Sequence, residues 1–377
     1  MKIYTLKVMP IFLSLLLLII FFPSICLAAD ADKIFKENNK AVVVVVTFDA
    51  NDNPISQGSG FIVRADGAVV TNYHVISNAK VIKIKVGDKI LNVEGLIYTD
   101  KENDLVILKA KGEKLQTVRL GDIAKTNIGE KVYVISSPEG LENTISDGIL
   151  SGIRDITSDR KVLQITAPVS SGSSGGPVFN KNGEVIGIAT FILRESQNIN
   201  FAMPVNLVKN KIESKKVITL KDSEIRDYTK TAEYWFNLGY YSLVSGMHKE
   251  AIEFYKQGIR IKPDYANAHL LLGAGYDKLG MNKEAIESYK QAIRLKPDHT
   301  DAHLLLGGAY GASGMYKEAI EAYKMVIRLK PDYTDAHYSL GLIYIILNNR
   351  GSALDEYKIL KSLNSEKANE LFDSIYE

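Results

Sequence analysis

The chain has 377 residues, of which 46% are hydrophobic and 24% are charged, with a formal net charge of +2. This composition is that of an ordinary globular protein, and it excludes both a disordered and a fibrous class. Because one domain commonly takes about 100 to 200 residues, the length predicts two or three domains.

The N-terminal segment, residues 1–28, has the order of parts that is typical of a secretory signal peptide. Lys2 and Lys7 precede a nearly unbroken apolar stretch over residues 8–22, and small and apolar residues follow as far as Ala28. We predict cleavage after Ala28 and export to the periplasm or the cell exterior. The alternative is an uncleaved membrane anchor through residues 8–22, although a spanning helix needs roughly 20 apolar residues.

Cleavage would also remove Cys26, the only cysteine, so the exported protein would have neither a thiol nor a disulfide. It would leave 44 basic against 44 acidic residues. Such a balance gives no electrostatic reason to bind nucleic acid or an anionic membrane, and we expect neither as a partner.

Short β-branched runs between glycine, asparagine and aspartate predict a strand-rich domain over residues 41–204. The segment is too long for one small barrel, so we expect two barrels that divide near residues 121–129. An amphipathic helix over residues 205–215 would end this domain, which we assign to residues 29–215. A charged linker is predicted over residues 216–231.

From residue 232 onward the sequence repeats at a constant interval. A Leu-Gly pair, an alanine and a tyrosine recur in four units, and a proline closes the first three units, at Pro263, Pro297 and Pro331. The pattern resembles the tetratricopeptide (TPR) repeat. We predict an α-helical solenoid with repeats at 232–265, 266–299, 300–333 and 334–367, followed by a C-terminal capping helix.

Two sets of repeat positions suggest functions. Five apolar repeat positions predict a groove that binds an extended peptide or a partner protein, and the alternative is that these side chains pack within the superhelix. The five residues are Phe236, Tyr240, Leu270, Leu304 and Tyr338. A histidine set could suggest a metal site: His269, His303 and His337. Equivalent repeat positions lie on successive helices rather than around one ion, so we expect no metal there.

Glycines surround Ser174 in the run Gly172-Ser173-Ser174-Gly175-Gly176, between two predicted strands. A serine hydroxyl becomes a good nucleophile only beside a base, and the oxyanion that it creates needs N–H donors. The glycines would let the Gly172 and Ser174 amides point to one spot. Taken alone, the run fits a structural turn between strands at least as well.

His74 is the only histidine between Asp30 and Thr231, so it is the only imidazole that the β domain can use as a base near neutral pH. Asp104 stands at the entrance of a predicted buried strand, where its carboxylate could accept the imidazole N–H. A structural histidine and a surface aspartate are the alternatives, and Asp100 is a local competitor.

Five blocks of sequence, in this order, resemble the HtrA/Deg family of trypsin-like proteases: residues 58–63, 71–75, 104–109, 172–178 and 200–204. The resemblance covers residues 41–215. It implies a double β-barrel, a triad of His74, Asp104 and Ser174, an oxyanion hole from the Gly172 and Ser174 amides, and no cofactor.

The resemblance has two limits. Family members usually carry a PDZ domain after the protease domain, and the predicted linker over residues 216–231 is too short to contain one. Family members also often form homotrimers, which the resemblance implies as a possible state, but a dense aromatic N-terminal patch is missing here, since Phe35 is the only aromatic residue between Asp30 and Thr47.

The family fold also implies a specificity pocket, walled by residues 166–171 and 187–193. Neither segment contains an acidic residue, so a buried Lys or Arg side chain would remain unpaired at a cost of several kcal/mol. We expect cleavage after small or medium apolar residues. The candidate pocket walls are Pro168, Val169, Phe191 and Ile192.

Together these features predict an exported serine endopeptidase, acting in protein quality control, whose repeats recruit substrate or partner proteins. The alternative is a chaperone-like or scaffold protein with little proteolysis. A complete Ser, His and Asp set argues against that alternative, because a binding protein has no need of it.

Overall fold

The structure, a computed structural model, describes residues 23–137, 143–157, 160–190, 200–223, 225, 227–363 and 365–376. The chain divides into two compact units between Tyr228 and Thr229, and the short segment Asp155–Arg160 is grouped with the second unit. The first unit is built of strands and the second of helices.

Six antiparallel strands close the first barrel in the order β5-β4-β1-β2-β3-β6, with β6 pairing back onto β5. Its core consists of β-branched and aromatic side chains such as Val45, Phe61 and Ile107, which suit a pleated surface buried on one side. The strands are β1 (Val42–Phe48), β2 (Pro54–Arg64), β3 (Ala68–Asn72), β4 (Val81–Val86), β5 (Lys89–Asp100) and β6 (Leu105–Ala110).

The second barrel also closes with six strands, in the order β11-β8-β9-β10-β13-β12, because β11 pairs with β12. A short strand, β7 (Arg119–Leu120), runs parallel to β12. The two barrels confirm the predicted architecture, and their division lies just before the predicted position. The other strands are β8 (Lys131–Ser136), β9 (Thr144–Thr157), β10 (Arg160–Ile165), β11 (Pro177–Asn180), β12 (Glu184–Ala189) and β13 (Asn200–Pro204).

Helix α1 (Pro23–Asn38) leads into β1 and runs across the predicted cleavage point at Ala28. Toward its end, Ile34 is buried and the Asn38 side chain donates to the Ile34 carbonyl at 2.9 Å. Most of the predicted signal segment lies outside the described residues. Among the helices of the described part, none combines the length and the apolar composition that crossing a bilayer requires.

The predicted helix over residues 205–215 is much shorter in the structure, where α2 covers only Asn206–Lys209. Beyond this helix, the Arg64 guanidinium donates to the carbonyls of Ile212 at 2.5 Å and Ser214 at 3.1 Å. These bonds hold the following residues in turns against the first barrel.

The segment predicted as a charged linker packs on the first barrel over part of its length. Strand β14 (Ile218–Thr219) pairs with Leu96 and Gly95 of β5. Farther along, Tyr228 is buried. The strand-built unit thus extends beyond residue 215, where the sequence pattern places the domain boundary.

Each predicted repeat is a pair of helices. The four pairs are α3 (Ala232–Val244) with α4 (His248–Ile261), α5 (Ala266–Lys278) with α6 (Asn282–Leu295), α7 (Thr300–Ala312) with α8 (Tyr316–Leu329), and α9 (Thr334–Ile346) with α10 (Arg350–Ser362). Helix α11 (Lys367–Tyr376) follows as the predicted cap. Each helix pair therefore lies within one unit of the sequence repeat.

The recurring glycine and tyrosine pack against each other inside each of the first three repeats. A Cβ atom added to Gly239, Gly273 or Gly307 would lie 3.0, 2.5 or 2.7 Å from the tyrosine ring of the same repeat. In the fourth repeat, a Cβ on Gly341 would meet Leu371 of α11 instead, at 2.6 Å. The capping helix thus takes over the contact that the tyrosine makes in the earlier repeats.

The histidine set joins successive repeats. In each case the histidine Nε2 lies 2.9 Å from the carbonyl oxygen of the proline six residues earlier, which closes the preceding repeat: His269 to Pro263, His303 to Pro297 and His337 to Pro331. A carbonyl just beyond a helix end lacks an intrahelical donor, so the imidazole supplies one.

Candidate active site

His74 stands in a tight turn directly after β3. Asp104, at the start of β6, holds this turn, because the Tyr73 amide and the Asn72 side chain both donate to the Asp104 carbonyl, at 3.0 and 2.9 Å. A short 3-10 turn, His74–Ile76, follows, and Val75 and Ile76 are buried in it. The imidazole is therefore carried by a fixed backbone.

Asp104 holds the imidazole through both carboxylate oxygens. Oδ1 accepts the His74 backbone N–H at 2.8 Å, and Oδ2 lies 2.5 Å from His74 Nδ1. An ionised carboxylate can only accept, so Nδ1 carries the proton and Nε2 keeps a lone pair. The competitor Asp100 is engaged elsewhere, since it accepts from the amide and the side chain of Asn103.

The Asp104 backbone is itself unusual, with φ at +55°. This left-handed region is uncommon for residues other than glycine, although aspartate adopts it more readily than most. The conformation lets the carboxylate turn back toward His74 just before β6 begins.

The pKa of His74 lies above its ordinary value. Burial is the largest single influence and by itself lowers the pKa, but the negative charge of Asp104 and its hydrogen bond together outweigh it. The pair therefore favours the imidazolium that forms when the ring accepts a proton.

Ser174 lies on a loop that packs against β2 and β3. The Ser59 amide donates to the Ser174 carbonyl at 2.8 Å. Gly172 and Gly175 have φ values of +88° and +87°, and a Cβ on Gly175 would overlap the Ser59 carbonyl and the Thr71 hydroxyl. Only glycine fits at residue 175, which brings the Ser174 loop to the strand that ends beside His74.

The predicted oxyanion hole consists of the Gly172 and Ser174 amides. Within the described residues neither amide has an acceptor. The loop is anchored by Ser59, whose hydroxyl donates to the Gly172 carbonyl at 2.7 Å and accepts the Ser137 amide at 2.9 Å. Both amides are thus available to a ligand.

One hydrogen bond of the predicted triad, that between Ser174 and His74, is not formed in the structure. The hydrogen bonds of the described residues do not include one between the Ser174 hydroxyl and His74 Nε2. Such bonds are often long in an unliganded protease and shorten when substrate binds. Ser174 as a whole residue is half-buried.

Three further hydroxyl residues support the site and were not identified from the sequence. Thr190 is buried and donates to Asp104 Oδ2 at 3.4 Å. Thr71 donates to the Ser59 carbonyl at 2.7 Å, and Ser59 in turn holds the Ser174 loop. Ser59 and Thr71 stand in the blocks that resemble HtrA/Deg proteases, whereas Thr190 has no signal beyond following β12.

The predicted specificity pocket is described only on one side. Pro168 is exposed, and Val169 is half-buried and packs against the core of the second barrel. Beside them, the Asn200 side chain donates to the Ala167 carbonyl at 2.9 Å. The other two predicted walls, Phe191 and Ile192, lie outside the described residues.

The predicted repeat groove is largely used for packing. Phe236, Tyr240 and Leu270 are buried, so they cannot offer a surface to a ligand, whereas Leu304 and Tyr338 are half-buried. Neighbouring side chains explain the burial: Phe236, for instance, stacks on Tyr265 with ring centroids 5.0 Å apart. The burial of the first three residues favours the alternative of packing within the superhelix.

An open groove of about 630 Å³ lies elsewhere in the repeats, between α6, α7 and α8. None of the five predicted groove residues lines it. Charged and apolar side chains both line it, among them Lys290, Lys317, Glu318, Glu321, Arg328, Leu306 and Tyr310. As for metals, the described residues contain no group of three or more ligand side chains that could hold an ion.

Comparison with known proteins identifies both modules. Residues 58–188 match the family model of the trypsin-like peptidase domain. The family model of the TPR repeat matches three times, over residues 245–280, 276–314 and 310–345.

Curated relatives match part of this chain. A probable periplasmic serine endoprotease, DegP-like, from Pseudomonas putida (strain W619) is 39% identical over 158 residues, which cover 40% of this chain and 33% of the relative. The putative serine protease HhoB of Synechocystis sp. is 35% identical over 173 residues, covering 44% and 42% of the two chains. The chain thus spans well under half the length of these relatives.

A relative with a different name also matches. The anti-sigma-I factor RsgI9 of Acetivibrio thermocellus is 30% identical over 217 residues, covering 56% of this chain and 30% of the relative. Among solved structures, the serine endoprotease of Yersinia pestis is 30% identical, with a TM-score of 0.43 over 48% of this chain and 64% of that one. The Rv3671c protease of M. tuberculosis is 22% identical, with a TM-score of 0.44 over 50% and 87%.

The order of the two modules agrees with the predicted fusion. The peptidase match contains His74, Asp104 and Ser174, and the TPR matches begin beyond the barrels. The chain therefore joins a trypsin-like peptidase domain, homologous to the HtrA/DegP serine proteases, to a run of tetratricopeptide repeats.

Proposed function

We propose that the protein is a serine endopeptidase in which Ser174 is the nucleophile, His74 the general base and Asp104 the residue that orients the base. The observation that carries this proposal is the double contact of Asp104 with His74, which fixes the proton on Nδ1 and leaves Nε2 able to accept one. His337 also has a carboxylate on Nδ1, that of Glu356, but its Nε2 is bonded to the Pro331 carbonyl, whereas His74 Nε2 has no partner among the described residues.

The reaction follows from these positions. Ser174 Oγ attacks the peptide carbonyl carbon while His74 Nε2 takes the hydroxyl proton, and the Gly172 and Ser174 amides donate to the oxyanion. The imidazolium then gives its proton to the leaving amine as the C–N bond breaks. Water, activated by the same imidazole, hydrolyses the acyl-enzyme and restores the Ser174 hydroxyl.

The substrate preference that we propose is for small or medium apolar residues before the cleaved bond. It is supported by the absence of acidic residues from segments 166–171 and 187–193 of the sequence. Cleavage profiling with a peptide library tests it, and a dominant preference for Arg or Lys would refute it.

We also propose that the protein is exported and that the repeats recruit substrate or partner proteins. Export is supported by the signal-like N-terminus and by the word periplasmic in the names of several relatives. Recruitment is supported by the TPR matches and by the open groove between α6, α7 and α8.

Labelling with a fluorophosphonate probe is the direct experiment. The wild type should be labelled, and Ser174→Ala should lose both the label and hydrolysis of an unfolded protein such as casein. Ser173→Ala is the matched control, because it removes the neighbouring buried hydroxyl and should keep the label. Casein hydrolysis by Ser174→Ala at the wild-type rate would refute the assignment.

A further inference from the structure

Tyr228 comes from the segment after the barrels, yet it is among the most buried side chains of the strand-built unit. Its side chain has a relative exposure of 2%. It belongs neither to a barrel strand nor to a repeat helix, and it stands in a short 3-10 turn, Tyr228–Lys230. The sequence pattern around it, a charged linker, gives no reason for such burial.

Tyr228 contacts the His74 turn at two places. Its backbone N–H donates to the Ser77 hydroxyl at 2.8 Å, at the end of that turn. Its ring packs edge-to-face on Tyr73, the residue before His74, with centroids 5.4 Å apart and an interplanar angle of 68°. Tyr73 is itself buried. The two ends of the turn are thus held by one residue.

Tyr228 also contacts the turn that carries Asp104. Its phenol hydroxyl donates to the Lys101 carbonyl at 3.0 Å, and the same carbonyl accepts the Asp104 amide at 3.3 Å. The Lys101 ammonium lies over the Tyr73 ring, 5.4 Å from its centroid. The hydroxyl therefore bonds to the carbonyl that closes the turn in which Asp104 has its positive φ.

These contacts have one geometric consequence. The imidazole and the carboxylate meet at 2.5 Å, but they are carried by separate turns, and Tyr228 is attached to both. A shift of either turn by a few tenths of an ångström would lengthen the Asp104–His74 contact. Catalytic groups need support of this kind, because misplacement by about 1 Å can cost about 100-fold in rate.

We propose that Tyr228 is a positioning residue that fixes the His74 turn and the Asp104 turn relative to each other. This inference rests on the proposed peptidase function and adds to it that the barrels alone do not complete the catalytic machinery. The connecting segment, at least as far as Tyr228, is part of the enzyme.

The test compares Tyr228→Phe and Tyr228→Ala with Tyr133→Phe in the full chain. Tyr133 is the matched control, because it is equally buried, lies in β8 of the other barrel and has a hydroxyl without a partner among the described residues. Two readouts are needed: kcat and KM on a peptide substrate, and the proton NMR signal of His74 Nδ1–H.

Tyr228→Phe removes only the hydroxyl bond and should lower kcat about three- to tenfold with KM within twofold, as expected for the loss of one hydrogen bond. Tyr228→Ala should lower kcat about 100-fold. In both variants the His74 Nδ1 signal should shift or broaden, whereas Tyr133→Phe should leave kcat and the signal unchanged.

A Tyr228→Phe variant with wild-type kcat and an unchanged His74 signal would overturn the proposal. So would a lower melting temperature with both readouts unchanged, because Tyr228 would then serve packing alone. If the wild type hydrolyses nothing, the proposed function fails, but the NMR comparison still decides whether Tyr228 positions the pair.

Discussion

Replacing Asp104 with asparagine changes the hydrogen-bonding groups of this side chain while its size and shape stay almost the same. The side chain keeps one acceptor oxygen, and the His74 backbone N–H, now 2.8 Å from Oδ1, requires it. The amide NH₂ group must therefore occupy the place of Oδ2 and face His74 Nδ1. A donor in that place makes Nδ1 the acceptor, so the ring proton moves to Nε2 and the imidazole cannot take the proton of Ser174.

The expected loss is large. A triad with the wrong tautomer loses about 10⁴ in kcat, which corresponds to roughly 5 kcal/mol at 1.36 kcal/mol per factor of ten. KM should change little, because the Asp104 side chain is only 6% exposed and so offers a substrate almost no contact surface. Steady-state hydrolysis of a fluorogenic peptide, measured against Ser174→Ala as the background, gives both constants.

Asp100→Asn is the control, because Asp100 ends β5 directly before the turn that carries Asp104 but binds Asn103 rather than His74. Its kcat should stay within a few-fold of the wild type. Retention of more than a tenth of the activity by Asp104→Asn would refute the tautomer argument. An equal loss in both variants would show that the loop, rather than the carboxylate on Nδ1, determines the rate.

Three other predictions concern pH and packing. Since the pKa of His74 is raised and the base must be neutral, kcat/KM should fall as the pH drops, with a midpoint above 6.5, and a pH-rate profile checks this. Gly175→Ala would place a Cβ against the Ser59 carbonyl at a positive φ, so it should abolish fluorophosphonate labelling. Gly307→Ala, packed on a tyrosine ring, should destabilise the repeats by about 1 to 3 kcal/mol in urea unfolding. For its neighbour Gly308, an added Cβ would meet only the Tyr323 hydroxyl, at an ordinary contact distance of 3.8 Å, so Gly308→Ala should instead stabilise them by about 0.5 to 1 kcal/mol.

The repeats were predictable in detail because every recurring residue has a local steric cause. In the first three repeats the glycine faces the tyrosine ring of its own repeat, so the period in the sequence is the period of the structure. The contact between His74 and Asp104 could be anticipated for a different reason. A domain with a single histidine offers only one candidate base.

What the sequence could not predict depends on contacts between distant segments. The amphipathic pattern after residue 204 predicts a helix as far as residue 215, but the helix ends at Lys209, and Arg64, which is distant in the sequence, binds the carbonyls of Ile212 and Ser214. The apolar repeat positions suggest a groove, and burial by neighbouring helices removes Phe236 and Leu270 from it. Thr190 and Tyr228 belong to no residue motif, because the role of a single hydroxyl group in a loop depends on the group that it contacts in the folded protein.

The junctions between repeats have a consequence for how the array can change in evolution. Each junction consists of one proline carbonyl and one imidazole that stand six residues apart in the chain. Duplication or deletion of one whole repeat leaves that spacing intact wherever its endpoints fall between these junctions. The array can therefore gain or lose whole repeats while the contact between neighbouring repeats stays the same. Only the repeat whose Gly341 packs against α11 has to remain next to that helix.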